Sequence, residues 1–253
     1  MGRFENFVSI VTGAGQGVGA AAAKKLAEEG STVILVGRTL SKLENVAKEI
    51  GSKAIPWEMD VSKAEDWVNL TEYVKENLGE LDVLVNNAAI MTYVDILHTS
   101  DEDWREIVDI NLGSTFYGMK YCHAIMKKGV YRGIVNVASV GALRTGPSTG
   151  NDAGYQATKA GVVQLAKHAA YVMAPDCIRV NCVLPLAIMS PMLQHGLDTT
   201  PGAYEMMVGW NPLPPHYGTA EEVADAILYL ADPKMSRMVS GAALVCDSAS
   251  LTQ

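Results

Sequence analysis

The chain has 253 residues, enough for one large α/β domain, and its 49% hydrophobic content is ample for a buried core. The 20 basic residues against 28 acidic ones leave a net charge of −8 with no clustered Lys and Arg, which excludes nucleic acid as the main partner. Cys122, Cys177, Cys182 and Cys246 form no C-x-x-C pair and have no His at ligand spacing, so neither a metal site nor a disulfide framework is expected. The chain also carries no signal-peptide pattern or apolar run long enough to span a membrane, and a cytoplasmic location is expected.

Seven short apolar runs, at 8–11, 32–36, 53–57, 82–85, 133–137, 178–183 and 241–245, alternate with helical patterns from end to end. Runs that are apolar throughout point to a sheet covered on both faces. The expectation is therefore a single-domain α/β fold, a doubly wound parallel sheet of about seven strands with right-handed crossovers. Neither repeats nor a linker break it, so residues 1–253 read as one domain.

The first run leads into Thr12-Gly13-Ala14-Gly15-Gln16-Gly17-Val18-Gly19, a glycine-studded turn opening a small-residue helix. Such a turn lets a pyrophosphate approach the amides of the helix N-terminus, where the helix dipole favours negative charge. The strand-turn-helix context is what gives the glycines their meaning. The second run ends at Gly37-Arg38. An acidic residue near this point grips the ribose of NAD, whereas a guanidinium suits the 2′-phosphate of NADP, so NADP(H) is favoured and NAD(H) possible. The plain alternative is that Arg38 only caps the strand at the surface, and Gln16 adds no second positive charge. Asp60 and Val61 close the third strand, where Asp60 either accepts from an adenine amino group or serves as the N-cap of the next helix. After the fourth run, Asn86 and Ala88 are expected to line the cofactor, while Asn87 can as well tie loops together.

A helix is expected from Ser100 or Asp101 past Met119 as one apolar stripe, with Asn111 inside it needing hydrogen-bond partners. The fifth run ends at Ser139. Sixteen residues later, Tyr155 and Lys159 stand at i and i+4 on one helix face. A unit charge at about 4 Å in a medium of dielectric about 20 is worth roughly 4 kcal/mol, enough to lower a phenol pKa from about 10 by up to ~3 units. A phenol so tuned exchanges protons with an alcohol or ketone.

The glycine turn, Asp60, Asn86-Asn87-Ala88-Ala89, Asn111, Ser139 and Tyr155-x-x-x-Lys159, in this order and at these intervals, resemble the short-chain dehydrogenase/reductase family over nearly the whole chain. The resemblance implies that Tyr155 is the proton donor and acceptor and that Ser139 binds the substrate oxygen. It implies that Lys159 lowers the Tyr155 pKa and holds the nicotinamide ribose, and that Asn111 positions a water leading to solvent. It also implies that Gly13, Gln16, Gly17 and Val18 surround the cofactor, braced by Thr12, with Ile188 and Ser190 meeting the carboxamide. Three departures stand out: Leu186 follows Pro185 where Gly is usual, the interval between Ser139 and Tyr155 is about three residues long, and Ser248-Ala249 replaces a Gly-Gly pair.

Residues 186–217 carry several Met and aromatic side chains and resemble the family's substrate lid, suited to a bulky hydrophobic alcohol or ketone. Arg144 can reach an anionic substrate group; His195 and His216 read as lid surface. The resemblance further implies a homotetramer or homodimer. The rival readings are a 3-oxoacyl-type reductase, a silent dinucleotide-binding sensor and a methyltransferase. Binding alone needs neither the serine nor the phenol, and the missing acidic residue after the second strand disfavours the methyltransferase.

Overall fold

A computed structural model describes residues 2–126, 128, 130–145, 152–189, 191–199 and 201–252. Its centre is a seven-stranded, wholly parallel sheet in the order β3-β2-β1-β4-β5-β6-β7. The strands are β1 (Val8–Thr12), β2 (Thr32–Gly37), β3 (Ala54–Glu58), β4 (Val83–Asn86), β5 (Arg132–Val137), β6 (Ile178–Pro185) and β7 (Ala243–Cys246). Each of the seven apolar runs forms a strand. β3 carries Pro56, which lacks an N–H, and accordingly takes one edge of the sheet.

The continuous apolar character of the strands follows from helices on both faces. On one face α1 (Gly17–Glu28), α2 (Leu40–Ile50) and α9 (Ala220–Ala231) pack against Val11, Leu35, Val85, Val135 and Val183. On the other, α3 (Ala64–Asn77), α5 (Ser114–His123) and α6 (Ala153–Met173) cover Ile10, Ile34, Leu84, Ile134 and Val180. Successive strand residues point to opposite faces, so a strand sandwiched this way must be apolar at every position. Among the described residues, no helix is long and apolar enough to cross a membrane, and no cluster of His, Cys, Asp or Glu can hold a metal.

The helix expected from Ser100 to beyond Met119 is broken. α4 (Asp101–Ile107), capped by Ser100 Oγ accepting from Asp103 N, passes into a π-helical turn at Val108–Gly113 before α5 resumes the α pitch. The widened turn inserts a residue and re-aims what it carries, and it carries Asn111. Apolar periodicity cannot register one inserted residue.

β1 and β4 are neighbours although β2 and β3 intervene in sequence. The crossovers leaving them wind to opposite sides, and a crevice opens beyond their carboxyl ends. Beyond β6, α7 (Pro191–Thr199) and α8 (Ala203–Trp210) form the segment that precedes α9.

Candidate active site

The crevice at the switch point has a volume of about 390 Å³. Gly13, Gln16, Gly17, Val18, Arg38, Asp60, Val61 and Ala88 all line it. The turn is shaped by two close approaches. Gly13 has φ +66, and a Cβ at Gly19 would lie 2.3 Å from Gly13 O. Thr12 Oγ1 accepts from Asn87 N at 2.9 Å and Ala88 N at 3.0 Å, while Asn87 Nδ2 donates to Thr12 O at 2.9 Å. Strand ends β1 and β4 are thereby locked together under the turn. α1 begins at Gly17 without a side-chain cap, so its first amides face the crevice unclaimed by a capping residue. This geometry fits the pyrophosphate of a dinucleotide.

Asn86 departs from expectation. Its side chain leaves the crevice for the sheet interior, where Nδ2 donates to Asn136 Oδ1 at 2.8 Å, and it is Asn87 that lines the wall. β4 ends at Asn86, and it is the residues just beyond it, Asn87 and Ala88, that line the wall. Asp60 is not a helix N-cap: α3 starts after Lys63. Its Oδ1 instead accepts from Ser62 N at 3.0 Å and Ser62 Oγ at 2.7 Å. Burial alone would raise the Asp60 pKa, but these bonds, with Lys63 and Arg38 nearby, hold it below the usual carboxylate value.

A residue missed in the sequence is Lys42. Its Nζ donates to Gln16 Oε1 at 2.8 Å, and it lines the crevice with Arg38. Lys42 stands at i+4 from Arg38. Arg38 precedes α2, so no helical spacing links the two, and only the folded turn brings Lys42 to Gln16.

The second group of residues lies past Ile90, which lines the crevice. Asn111 Oδ1 accepts from Ile90 N at 2.8 Å, and its Nδ2 donates to Ile90 O at 3.0 Å and Thr158 Oγ1 at 3.3 Å. The Asn111 amide is thus spent on fixing the loop after β4 to α6. Ser139, at the end of β5, is buried, and its Oγ accepts from Gly141 N. Tyr155, on the first turn of α6, is half-buried and hydrogen-bonded to Ser139. Lys159 is buried one turn on, with Nζ donating to Val137 O at 2.7 Å and lying 5.5 Å from the Tyr155 ring centroid.

The direction expected for Tyr155 is reversed by its surroundings. Burial raises its pKa above the ordinary 10, only partly countered by the Ser139 bond, and burial lowers Lys159 to about 8. The ammonium sits over the ring and is bonded to a main-chain carbonyl rather than beside the phenol oxygen, so desolvation outweighs charge attraction.

The chain as a whole is similar to known proteins. The family described as enoyl-(acyl carrier protein) reductase matches residues 13–248. Cyclopentanol dehydrogenase of Comamonas sp. (strain NCIMB 9872) is 35% identical, with 98% of each chain covered. An NADP-dependent (R)-specific alcohol dehydrogenase of Lentilactobacillus kefiri is 33% identical, covering 97% of this chain and 96% of that one. A solved structure from Burkholderia xenovorans, described as a short-chain dehydrogenase/reductase, superposes with a TM-score of 0.91 at 28% identity over 100% of this chain and 99% of that one. The chain belongs to the short-chain dehydrogenase/reductase family.

As a member of that family it is a nicotinamide-dependent oxidoreductase, and the remaining expectations can be placed against its structure. Ile188 does not line the main crevice; it pairs in an isolated bridge with Gly218 and borders a second pocket of about 210 Å³ beneath 213–217. Ser190, residues 147–151 of the surplus stretch 147–154 and the side chains of Met192 and His195 lie outside the described residues. His216 Nδ1 is 2.6 Å from Asn211 O, a lid-internal bond. Arg144 Nη1 donates to Ser250 O at 2.6 Å and its guanidinium lies 4.1 Å from the Trp210 ring centroid. An indole face and a chain carbonyl satisfy a planar cation.

Proposed function

We propose that the protein interconverts secondary alcohols and ketones, cyclic hydrophobic ones foremost, with NADP(H) preferred. The observation that carries the reading is the convergence of Ser139 and the Tyr155 phenol with a buried Lys159, whose Nζ lies 5.5 Å from the Tyr155 ring centroid. In reduction Tyr155 gives its proton to the developing alkoxide, and in oxidation it takes the proton back. Ser139 donates to the same substrate oxygen, stabilising charge as it forms. Lys159, whose ammonium is still largely protonated at pH 7 with a pKa of about 8, holds positive potential under the phenol. Asn111 keeps the loop after β4 in place by its bonds to Ile90. A nicotinamide cofactor supplies or accepts the hydride when bound. Gly13, Gln16, Gly17, Val18, Asp60, Val61 and Ala88 would hold it, with Arg38 and Lys42 meeting a 2′-phosphate.

The cyclic-substrate reading draws on the relative named for cyclopentanol and on the apolar character of 186–217, which we take as a substrate lid of the single domain 1–253. The net charge of −8 gives no basic docking face for an acidic acyl carrier, which sets the 3-oxoacyl reductase reading second. A homotetramer or homodimer in the cytoplasm completes the proposal. Screening cyclic and linear ketones with NADPH, by loss of its absorbance, tests the substrate class; turnover confined to acyl thioesters would overturn it. Tyr155→Phe should bind NADPH as the parent does, by fluorescence titration, yet lose at least about a thousandfold in kcat; near-normal kcat would remove Tyr155 from the reaction.

A further inference from the structure

The catalytic group leaves one buried charge unused. Asp152 is fully buried, and its carboxylate contacts donors on two distant stretches of chain. Oδ1 accepts from Tyr155 N at 2.8 Å, capping α6; Oδ2 accepts from Thr92 N, from Thr92 Oγ1 at 3.0 Å and from Tyr93 N at 2.8 Å. A carboxylate taken out of water is kept only when donors surround it, and here they do. A helix cap needs only the Tyr155 amide, so the other three bonds serve the loop after β4.

That loop is under constraint. Tyr93 has φ +60, a left-handed conformation that non-glycine residues rarely adopt, and its own N–H is one of the groups held by Asp152. The Tyr93 residue is 56% exposed, at the mouth beside Tyr155 rather than in the core. Its ring and the Asp152 carboxylate both act electrostatically on the Tyr155 phenol.

We propose that Asp152 is a positioning residue that fixes the Thr92-Tyr93 turn against the start of α6, making Tyr93 a wall that orients the alcohol or ketone at Tyr155. The proposal rests on the reading of Tyr155 as the proton-transfer group. The groups facing Tyr155 are Ser139 from the end of β5, Tyr93 from the loop after β4, and Asp152 and Lys159 from α6 and its cap. Among them Asp152 is the negative charge, and it favours the protonated phenol.

The test is the oxidation of cyclopentanol with NADP⁺ by Asp152→Asn, followed across pH. An amide keeps one acceptor for the Tyr155 amide but presents an NH2 group to the Thr92 and Tyr93 donors, and it removes the charge. The KM for the alcohol should rise ~10-fold with the KM for NADP⁺ within ~2-fold, and the acid limb of kcat/KM should move to lower pH by roughly half a unit or more. A cap with no further role would lower the melting temperature and leave the limb in place. Thr92→Val, which keeps the charge and deletes one donor, should raise the alcohol KM without moving the limb. Tyr93→Gly keeps the N–H, suits φ +60 and removes only the ring; it should raise the alcohol KM in an enzyme that folds even if Asp152→Asn does not. Unchanged alcohol KM in Tyr93→Gly, or an unmoved limb in folded Asp152→Asn, overturns the proposal. Should Tyr155→Phe keep its turnover, the underlying reading fails instead.

Discussion

At the scale of single residues, the site turns on two buried groups whose protons are displaced in opposite directions. Lys159 has a folded pKa of about 8 against an ordinary 10.5, because burial penalises its charge. Between those values the unfolded chain binds a proton that the folded protein lacks, so Lys159's contribution to stability rises with pH from about 8 towards 10.5. Below pH 8 the folded protein carries the cost of a buried ammonium, on the order of 3 kcal/mol. Lys159→Met should therefore melt higher than the parent at pH 7, with the gap closing by pH 10; equal gaps at both pH values in thermal melts would exclude this. The residue types of the proposed catalytic group could be read from the chain, because Ser139, Tyr155 and Lys159 have a fixed order and spacing. The direction of the phenol shift could not, since i,i+4 spacing says nothing of Val137 O taking the ammonium. Lys42 was hidden for a similar reason: only the fold sets its amine beside Gln16. Arg38→Asp with Lys42→Ala should cut kcat/KM for NADPH by roughly two orders of magnitude while sparing NADH, measured by paired initial rates with the two coenzymes.

At the scale of elements, the pattern of apolar residues located every strand, but the special backbone states escaped it. The π turn at Val108–Gly113 looks like ordinary helix in sequence, and Asp152 as the cap of α6 carries no apolar periodicity to announce it. Both features re-aim residues of the site. The turn after β7 carries a different cost. Ser248 (φ 51) and Ala249 (φ 66) adopt left-handed conformations where the family usually places two glycines. Each side chain is strained there, and replacing it by glycine relieves more than the unfolded chain gains in freedom. Ser248→Gly and Ala249→Gly should each stabilise by up to about 1 kcal/mol, read as a higher midpoint in denaturant; a lower midpoint would mean that the side chains hold the turn. By contrast, the carboxyl end of α9 is firmly closed: Arg179 donates to Leu230 O at 2.7 Å and Ala231 O at 2.8 Å from the adjacent strand. A guanidinium on the last carbonyls meets the negative end of the helix.

Over the whole molecule, the seven-stranded parallel sheet was the most legible feature, since two-sided burial forces apolar runs that loops cannot imitate. Its surface is less closed than its core. Trp104 on α4, Phe116 on α5, and Tyr171 and Val172 at the end of α6 are all exposed, Tyr171 at 84%. Apolar and aromatic area of this kind is what a partner copy would cover. Tyr171→Glu combined with Phe116→Glu should convert the proposed tetramer or dimer to smaller species in light scattering coupled to gel filtration. An unchanged mass would place the contact elsewhere.

Arg144 stands five residues after Ser139 and grips both Trp210 of α8 and the backbone of Ser250. Three regions far apart in sequence therefore share a single fastener, and α8 cannot swing outward without unstacking the guanidinium from the indole. The stretch that follows Ser139 is in this way mechanically joined to α8. A change at the indole would therefore be felt at the segment behind Ser139, although the two lie some seventy positions apart in the chain.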